Sequence, residues 1–284
     1  MNNFGILINP YHRDINSVML LLEKLYRTKN VHFYRFQELD GKMPGFIRKA
    51  DDDVILDCIL SFGGDGSFLR AMHYSLAKKA PLLGINIGKL GFLSDSSLRE
   101  LEKSIDDLMN RRYKIQKRML LKVFLKRDGK VIFSELALND AVIYKGETPR
   151  LANIKITSNK RFVLATRCDG IIVCTPTGST AYSLAAGGPL LSPVLDAIVM
   201  TPLNPHILSV RPMVFSAEDK LHFKVLELHF EGVLQLDGNN AAKLQSEDEI
   251  IVTAANRKVE IIKLTNKTFF QILRKKMHMG KIGN

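Results

Sequence analysis

The feature that most limits how this chain can fold is a change in hydrophobic period near residue 117. Before it, apolar strands alternate with helical patterns. Residues 4–9 read as a strand, and Val18, Leu21, Leu22 and Leu25 fall on one face of a helix over 16–27. Residues 31–36, 58–62 and 82–86 supply further strands, with a helix from 67 to about 79 between the last two. This succession predicts a mostly parallel sheet with crossover helices. After residue 118 the runs 121–126 and 131–136 flank Arg127-Asp128-Gly129-Lys130, and an Asp-Gly pair between alternating runs predicts a hairpin. Residues 154–157 and 162–166 flank Ser158-Asn159-Lys160 in the same way, and 221–228, 233–236, 250–254 and 259–263 continue the strand-rich pattern. The expected fold is α/β plus β-rich: an α/β domain over 1–117 with a mostly parallel sheet, then a β-sandwich-like domain over 118–264. A helix over 179–186, stopped by Gly187-Gly188-Pro189, interrupts the second domain. A last helix is expected over 268–279, in a C-terminal segment, 265–284, that packs back on the first domain.

Composition narrows the function classes. At 284 residues, with 46% hydrophobic and 25% charged residues, the chain sits within the ordinary globular range. Its first residues lack the basic start and small-residue cleavage site of a secretory signal, and no apolar run approaches the roughly twenty residues of a membrane span. No membrane partner is expected. Cys58, Cys168 and Cys174 lie in apolar stretches without C-x-x-C spacing, which suits buried thiols in a reducing cytoplasm better than disulfides or zinc. The net charge of +12 favours phosphate-rich partners, although lysines and arginines solvating a surface explain it equally well. Residues 111–118 interleave basic side chains with Tyr113 and Ile115, the pattern of a strand with one wet face, so no nucleic-acid partner is expected. The histidines, His73 and His206 among them, show no metal-ligand spacing, and no metal held by protein side chains is expected. No G-x-S-x-G nucleophile elbow occurs.

Residues 59–62 lead straight into Gly63-Gly64-Asp65-Gly66-Ser67, and Phe68, Leu69, Met72 and Leu76 continue as an amphipathic helix. Glycines in such a turn let the backbone approach phosphate oxygens, and the helix start offers free N–H groups with partial positive charge. Asp65 is the ionisable side chain inside the turn, placed where a carboxylate accepts a proton from an attacking hydroxyl. A helix cap is the other reading of Asp65. The chain contains neither the P-loop pattern nor a G-x-G-x-x-G opening.

A second glycine-rich stretch runs from Asp169-Gly170 through a buried strand into Thr175-Pro176-Thr177-Gly178-Ser179-Thr180-Ala181-Tyr182-Ser183-Leu184-Ala185. Thr177, Ser179, Thr180 and Ser183 each donate and accept, which suits a nucleoside with ribose hydroxyls and a heterocycle edge. Tyr182 adds an aromatic face. An ordinary strand-to-helix connection with a hydroxyl cap is the alternative for any one of them.

Gly63-Gly64-Asp65-Gly66, Leu138-Asn139-Asp140, and Asp169-Gly170 followed by residues 175–182 resemble, in that order and at similar spacing, the NAD kinases of bacterial type. The resemblance covers about 59–237 and includes Gly88-Lys89-Leu90-Gly91-Phe92-Leu93 and Pro205-His206 with Arg211-Pro212. It implies phosphoryl transfer from ATP to the 2′-hydroxyl of the adenosine ribose of NAD. Asp65 would be the general base, and Gly63, Gly64 and Gly66 would form the phosphate loop, with Mg²⁺ or another divalent cation accompanying ATP. Asn139 and Asp140 would hold the adenosine portion. Gly66, Phe92, Arg167, Asp169, Thr177, Thr180, Ala181, Tyr182, Ser183 and Ala185 would complete the substrate site, with Asp169 in reach of a neighbouring subunit. Arg70, one helical turn beyond the loop, would face phosphates or simply remain hydrated. The resemblance also implies a homodimer or homotetramer; the site is expected in the cleft between the two domains, a common location for small-molecule sites, and the protein in the cytoplasm. Ser67 stands where many members carry Thr, Asp140 where many carry Glu, and Asn239 where Gln is common. The glycine-aspartate turn alone is similar to that of lipid kinases and phosphofructokinases, so a lipid kinase is one rival reading; a non-catalytic nucleotide sensor, motivated by the basic charge, is the other.

Overall fold

The computed structural model describes residues 1–9, 11–36, 44–51, 53–88 and 91–278. The chain divides into two compact units, Met1–Lys117 with Val259–Asn284, and Arg118–Lys258. In the first, β1 (Asn3–Ile8) leads to α1 (Ile15–Lys29), which buries Val18, Leu22 and Leu25, the apolar face that the spacing predicts. Asn30 ends α1 in the left-handed conformation, at φ 48°. Next come β2 (His32–Arg35), β3 (Ile47–Lys49) and β4 (Cys58–Phe62). All five residues of β4 are buried, the environment of a parallel strand covered by helices on both faces. α2 (Asp65–Lys78) packs through Phe68, Ala71 and Met72, and β5 (Leu82–Asn86), β6 (Ser94–Ser97), α3 (Leu101–Met109) and β7 (Lys114–Arg118) follow.

The second unit opens with the hairpin of β8 (Leu121–Arg127) and β9 (Lys130–Ala137). Asp128 and Gly129 at its tip have φ of 50° and 75°, the paired positive values of a type I′ turn. β10 (Asp140–Tyr144) precedes a second hairpin, β11 (Ala152–Ser158) with β12 (Arg161–Cys168). The fully buried β13 (Gly170–Cys174) then runs into the hydroxyl-rich turn. There the expected helix over 179–186 is instead a single 3-10 turn, Gly178–Thr180, and a four-residue α4 (Tyr182–Ala185), broken at Ala181 with ψ of −131°. Side-chain-to-backbone bonds compete with helix here: the Ser179 hydroxyl donates to Pro176 O (2.7 Å) and accepts from Leu191 N (3.0 Å). β14 (Ala197–Leu203), β15 (Met213–Ser216), β16 (Leu221–Glu227), β17 (Gly232–Leu236), β18 (Asn239–Leu244) and β19 (Glu249–Ala254) complete two six-stranded antiparallel sheets. Their orders are β15-β14-β13-β10-β17-β18 and β12-β11-β16-β19-β8-β9. Alternate residues of both sheets, such as Ile171 and Val173 from one and Phe223, Val225, Ile250 and Val252 from the other, share one core, as in a β-sandwich.

The chain then returns to the first sheet. β20 (Val259–Lys263), whose residues the sequence pattern groups with the second domain, pairs in parallel with β5 through Ile261 and Leu82, and Ile262 joins the first unit's core. Alternation reports that a strand has a buried face, not which sheet buries it. The first sheet has the order β3-β2-β1-β4-β5-β20-β7, with β6 also on β5. α5 (Phe269–Met277) begins at a Thr268–Gln271 capping box and buries Ile272 and Leu273. The three cysteines are buried and unpaired. Among the described residues no helix is long and apolar enough to cross a membrane.

Candidate active site

Gly63 donates to Ile85 O (3.0 Å), so the glycine turn leaves β4 beside the C-terminal end of β5, the edge where parallel sheets take ligands. α2 starts at Asp65 rather than at Ser67, because Gly64 occupies the cap position and its carbonyl accepts from Ser67 N (3.1 Å) and Phe68 N (3.2 Å). Asp65 makes no capping bond. Its carboxylate turns instead to the loop before β6, where Oδ2 accepts from Phe92 N (2.9 Å) and Oδ1 from Leu93 N (3.0 Å). Gly91 makes that approach possible, since a Cβ there would lie 2.1 Å from Asp65 Oδ1. From α5, Lys276 Nζ stands 3.8 Å from Asp65 Oδ2 and 4.2 Å from the centre of the Phe92 ring. Gly64 and Gly66 are exposed, as is Arg70, which donates to Ser67 Oγ at 3.3 Å. The first unit therefore brings Gly63, Gly64, Asp65, Gly66 and Phe92 to one place, with Arg70 one turn away. Lys89 and Leu90 lie outside the described residues.

In the second unit, Asn139 and Asp140 open β10 under the carboxylate of Asp237, which accepts from the amides of Leu138 (2.8 Å), Asn139 (2.7 Å) and Asp140 (3.1 Å). Thr175 ties this segment to the hydroxyl-rich turn. Its amide donates to Asn139 O (2.9 Å), its hydroxyl donates to Leu138 O (2.6 Å), and that hydroxyl accepts from Gly178 N (3.1 Å). Asp140 is 4% exposed; burial, and then the charge of Asp237, push its carboxyl up to about 7.

Several hydroxyls that the sequence offers to a ligand are used within the second unit. Ser179 is buried in the bonds described above, Ser183 Oγ shares a buried hydrogen bond of 2.8 Å with Thr201 Oγ1, and Thr180 Oγ1 donates to Thr177 O at 3.1 Å. Thr177 is buried, Thr180 and Ala181 are half-buried, and Tyr182 and Ala185 are exposed. What this turn presents outward is backbone and the Tyr182 ring.

Asp169, between β12 and β13, pairs with Lys145 Nζ (2.7 Å) and accepts from Asn204 Nδ2 (2.8 Å). Burial alone would raise its carboxyl, yet these two partners hold it below the ordinary range. Arg167 is exposed, 3.8 Å from Glu227, and lines a groove of about 480 Å³ with Arg150, His206 and His229. Among the described residues no three His, Cys, Asp or Glu side chains are arranged to hold a metal ion. Sequence reasoning passes over Lys145, Asp237 and Lys276. The Asp237-Gly238 turn is a local signal for the second, whereas Lys276 sits in a basic helix pattern that marks no role.

Known proteins with these features form a consistent set. The ATP-NAD kinase N-terminal domain family matches residues 21–113, and the ATP-NAD kinase C-terminal domain family matches 138–264. The chain is 38% identical over 282 residues to the NAD kinase of Desulforamulus reducens, spanning 98% of this chain and 97% of that protein. It is 37% identical over 225 residues to the NAD kinase of Magnetococcus marinus, spanning 79% of this chain and 74% of that one. A crystal structure of yeast NADH kinase complexed with NADH superposes with a TM-score of 0.87 at 26% identity, covering 100% of this chain and 89% of that one. An NAD kinase from Archaeoglobus fulgidus in complex with ATP shares the fold, with a TM-score of 0.72 at 22% identity and coverage of 98% and 99%.

Proposed function

The chain belongs to the NAD kinase family, and on that premise we propose that it moves the γ-phosphoryl group of ATP to the 2′-hydroxyl of the adenosine ribose of NAD, with Asp65 as general base. The observation that carries the base assignment is the Asp65 carboxylate, fixed by the amides of Phe92 and Leu93 at the first residue of α2, directly after Gly63 and Gly64. Asp65 takes the hydroxyl proton as the ribose oxygen bonds to the γ-phosphorus; the bond from that phosphorus to the bridging oxygen breaks and ADP leaves. With the amides of Gly63, Ser67 and Phe68 already given to backbone carbonyls, the N–H groups of Gly64, Asp65 and Gly66 donate to phosphate oxygens, and Arg70 is in place to add a charge. These hydrogen-bond donors would hold the phosphates rather than a metal, and a divalent cation, Mg²⁺ in our reading, would arrive on ATP and neutralise charge on the phosphates.

Asn139 and Asp140 hold the adenosine portion of NAD in this reading, and Phe92, Arg167, Asp169, Thr177, Thr180, Ala181, Tyr182, Ser183 and Ala185 contribute to the remainder. Because the Ser183 hydroxyl is committed to Thr201, its contribution comes through the backbone. The same reading makes the protein a cytoplasmic homodimer or homotetramer in NADP biosynthesis, without a nucleic-acid or membrane partner.

Incubating the protein with ATP, Mg²⁺ and NAD, and measuring NADP with an NADP-specific dehydrogenase, tests the reaction. NADP should accumulate. Asp65→Asn should bind NAD within a few-fold of the parent while turnover falls by about 10²–10⁴-fold, the scale of a lost general base. NAD binding without any NADP would leave a nucleotide sensor, and near-normal turnover of Asp65→Asn would remove it as the base.

A further inference from the structure

The C-terminal helix reaches the proposed base, and two anchors hold it there. Buried Asp95, on β6, accepts from Leu264 N (2.6 Å), Thr265 N (2.8 Å) and Thr265 Oγ1 (3.1 Å) and pairs with Lys263, so the chain leaving β20 is pinned to the strand that follows the Phe92-Leu93 loop. α5 then buries Ile272 and Leu273. Lys276 lies four and three residues beyond them and so shares their inward face, whereas Arg274 and Lys275 are exposed. Its side chain is 26% exposed and that of Asp65 31%, an ion pair half removed from water. The ammonium also sits over the Phe92 ring, well inside the roughly 6 Å within which a cation is attracted to a ring face. A flexible lysine is thus held at two points, and one of them is the oxygen, Oδ2, that also takes the Phe92 amide.

We propose that Lys276 is a positioning residue for phosphoryl transfer: from the last turn of α5 it fixes the Asp65 carboxylate and the Phe92 ring in the arrangement in which the carboxylate meets the ribose hydroxyl. The inference rests on Asp65 being the base. Its physical basis is orientation, since a reacting group displaced by about 1 Å costs on the order of 10²-fold in rate. Lys276 acts on kcat through Asp65, and its hold on the Phe92 ring bears on NAD rather than on ATP.

The test compares Lys276→Met, Lys276→Gln, Lys276→Arg and Lys275→Met in the NADP-forming assay, with thermal unfolding to confirm that each is folded. Lys276→Met and Lys276→Gln should lower kcat by about 10–100-fold while the KM for ATP stays within about 3-fold. Lys276→Arg should recover most of the loss, and Lys275→Met, which removes the same charge from the exposed face, should behave as the parent. When Lys276→Met is combined with Asp65→Asn, its loss should vanish, leaving the turnover of Asp65→Asn alone, because a positioning residue has nothing left to position. Parent-like kcat in either neutral variant overturns the proposal. So does a raised KM for ATP with kcat unchanged, or a loss that multiplies with that of Asp65→Asn; both describe a lysine that binds phosphate directly. Near-normal turnover of Asp65→Asn would sink the base assignment itself, and this inference with it, whatever the lysine variants do.

Discussion

A carboxyl group buried at the first residue of β10, in the field of Asp237, is harder to ionise than one in water. Asp140 accordingly moves from its ordinary value of 3.8 to about 7. Between those values the folded protein keeps a proton that the unfolded chain has released. Its contribution to stability is therefore fully present below pH 3.8 and is lost as pH rises through about 7. Asn has nearly the same shape and no proton to lose. Measured from urea midpoints, the stability of Asp140→Asn relative to the parent should climb between pH 4 and 7 by roughly 1.4 kcal/mol per unit and level off above. A difference that stays flat from pH 5 to 8 would mean that the carboxylate is solvated. At this scale the sequence is legible where chemistry is local. A carboxylate directly after two glycines and before an apolar helix pattern is recognisable without coordinates, but its contacts are not, since the amides that hold Asp65 come from residues 92 and 93 and its cation from 276. Nor does a hydroxyl in a sequence declare whether it faces a ligand, closes its own turn as that of Ser179 does, or ties to a neighbouring strand as that of Ser183 does to Thr201.

Among elements, period and turn chemistry carry most of the information. Parallel and antiparallel halves separate on the apolar spacing of α1 and on the Asp-Gly and Asn-Lys hairpin tips, all local patterns. β3 and β6, of three and four residues, are too short to show a period. α3 is passed over although Leu101, Ile105 and Leu108 stand at helical spacing, the same signal that marks α1. The break at Ala181 is tertiary: the turn after β13 is shaped by its stitching to the start of β10. That stitching needs Gly178, where a Cβ would lie 2.0 Å from Asn139 O, a backbone atom with nowhere to go. Gly178→Ala must push the turn away from β10 and lengthen the Thr175 bonds. We expect a loss of roughly 1–3 kcal/mol by urea unfolding, the usual cost of overpacking, together with at least about a tenfold loss of NAD affinity by calorimetry. Unchanged NAD affinity would separate the turn from the substrate site.

For the molecule as a whole, the path of the chain matters more than the count of its strands. The polypeptide leaves the first sheet after β7, builds all of the second unit, and returns as β20 to lie between β5 and β7. The two units are thereby unequal in what they need from the chain's end. The second, Arg118–Lys258, is continuous and encloses its own core between two complete sheets. The first requires both of its segments, because without β20 the edge of β7 and the start of β5 at Leu82 lose a backbone partner and the core loses Val259, Ile261 and Ile262, each at most 2% exposed. A fragment of residues 118–258 should therefore unfold in urea as one cooperative transition and give dispersed amide resonances. A chain ending at residue 258 should show that same transition and no other, its first 117 residues remaining labile to protease. A second cooperative transition in the truncated chain would show that the first unit folds without β20 and α5 alike, and would overturn its dependence on the C-terminal segment.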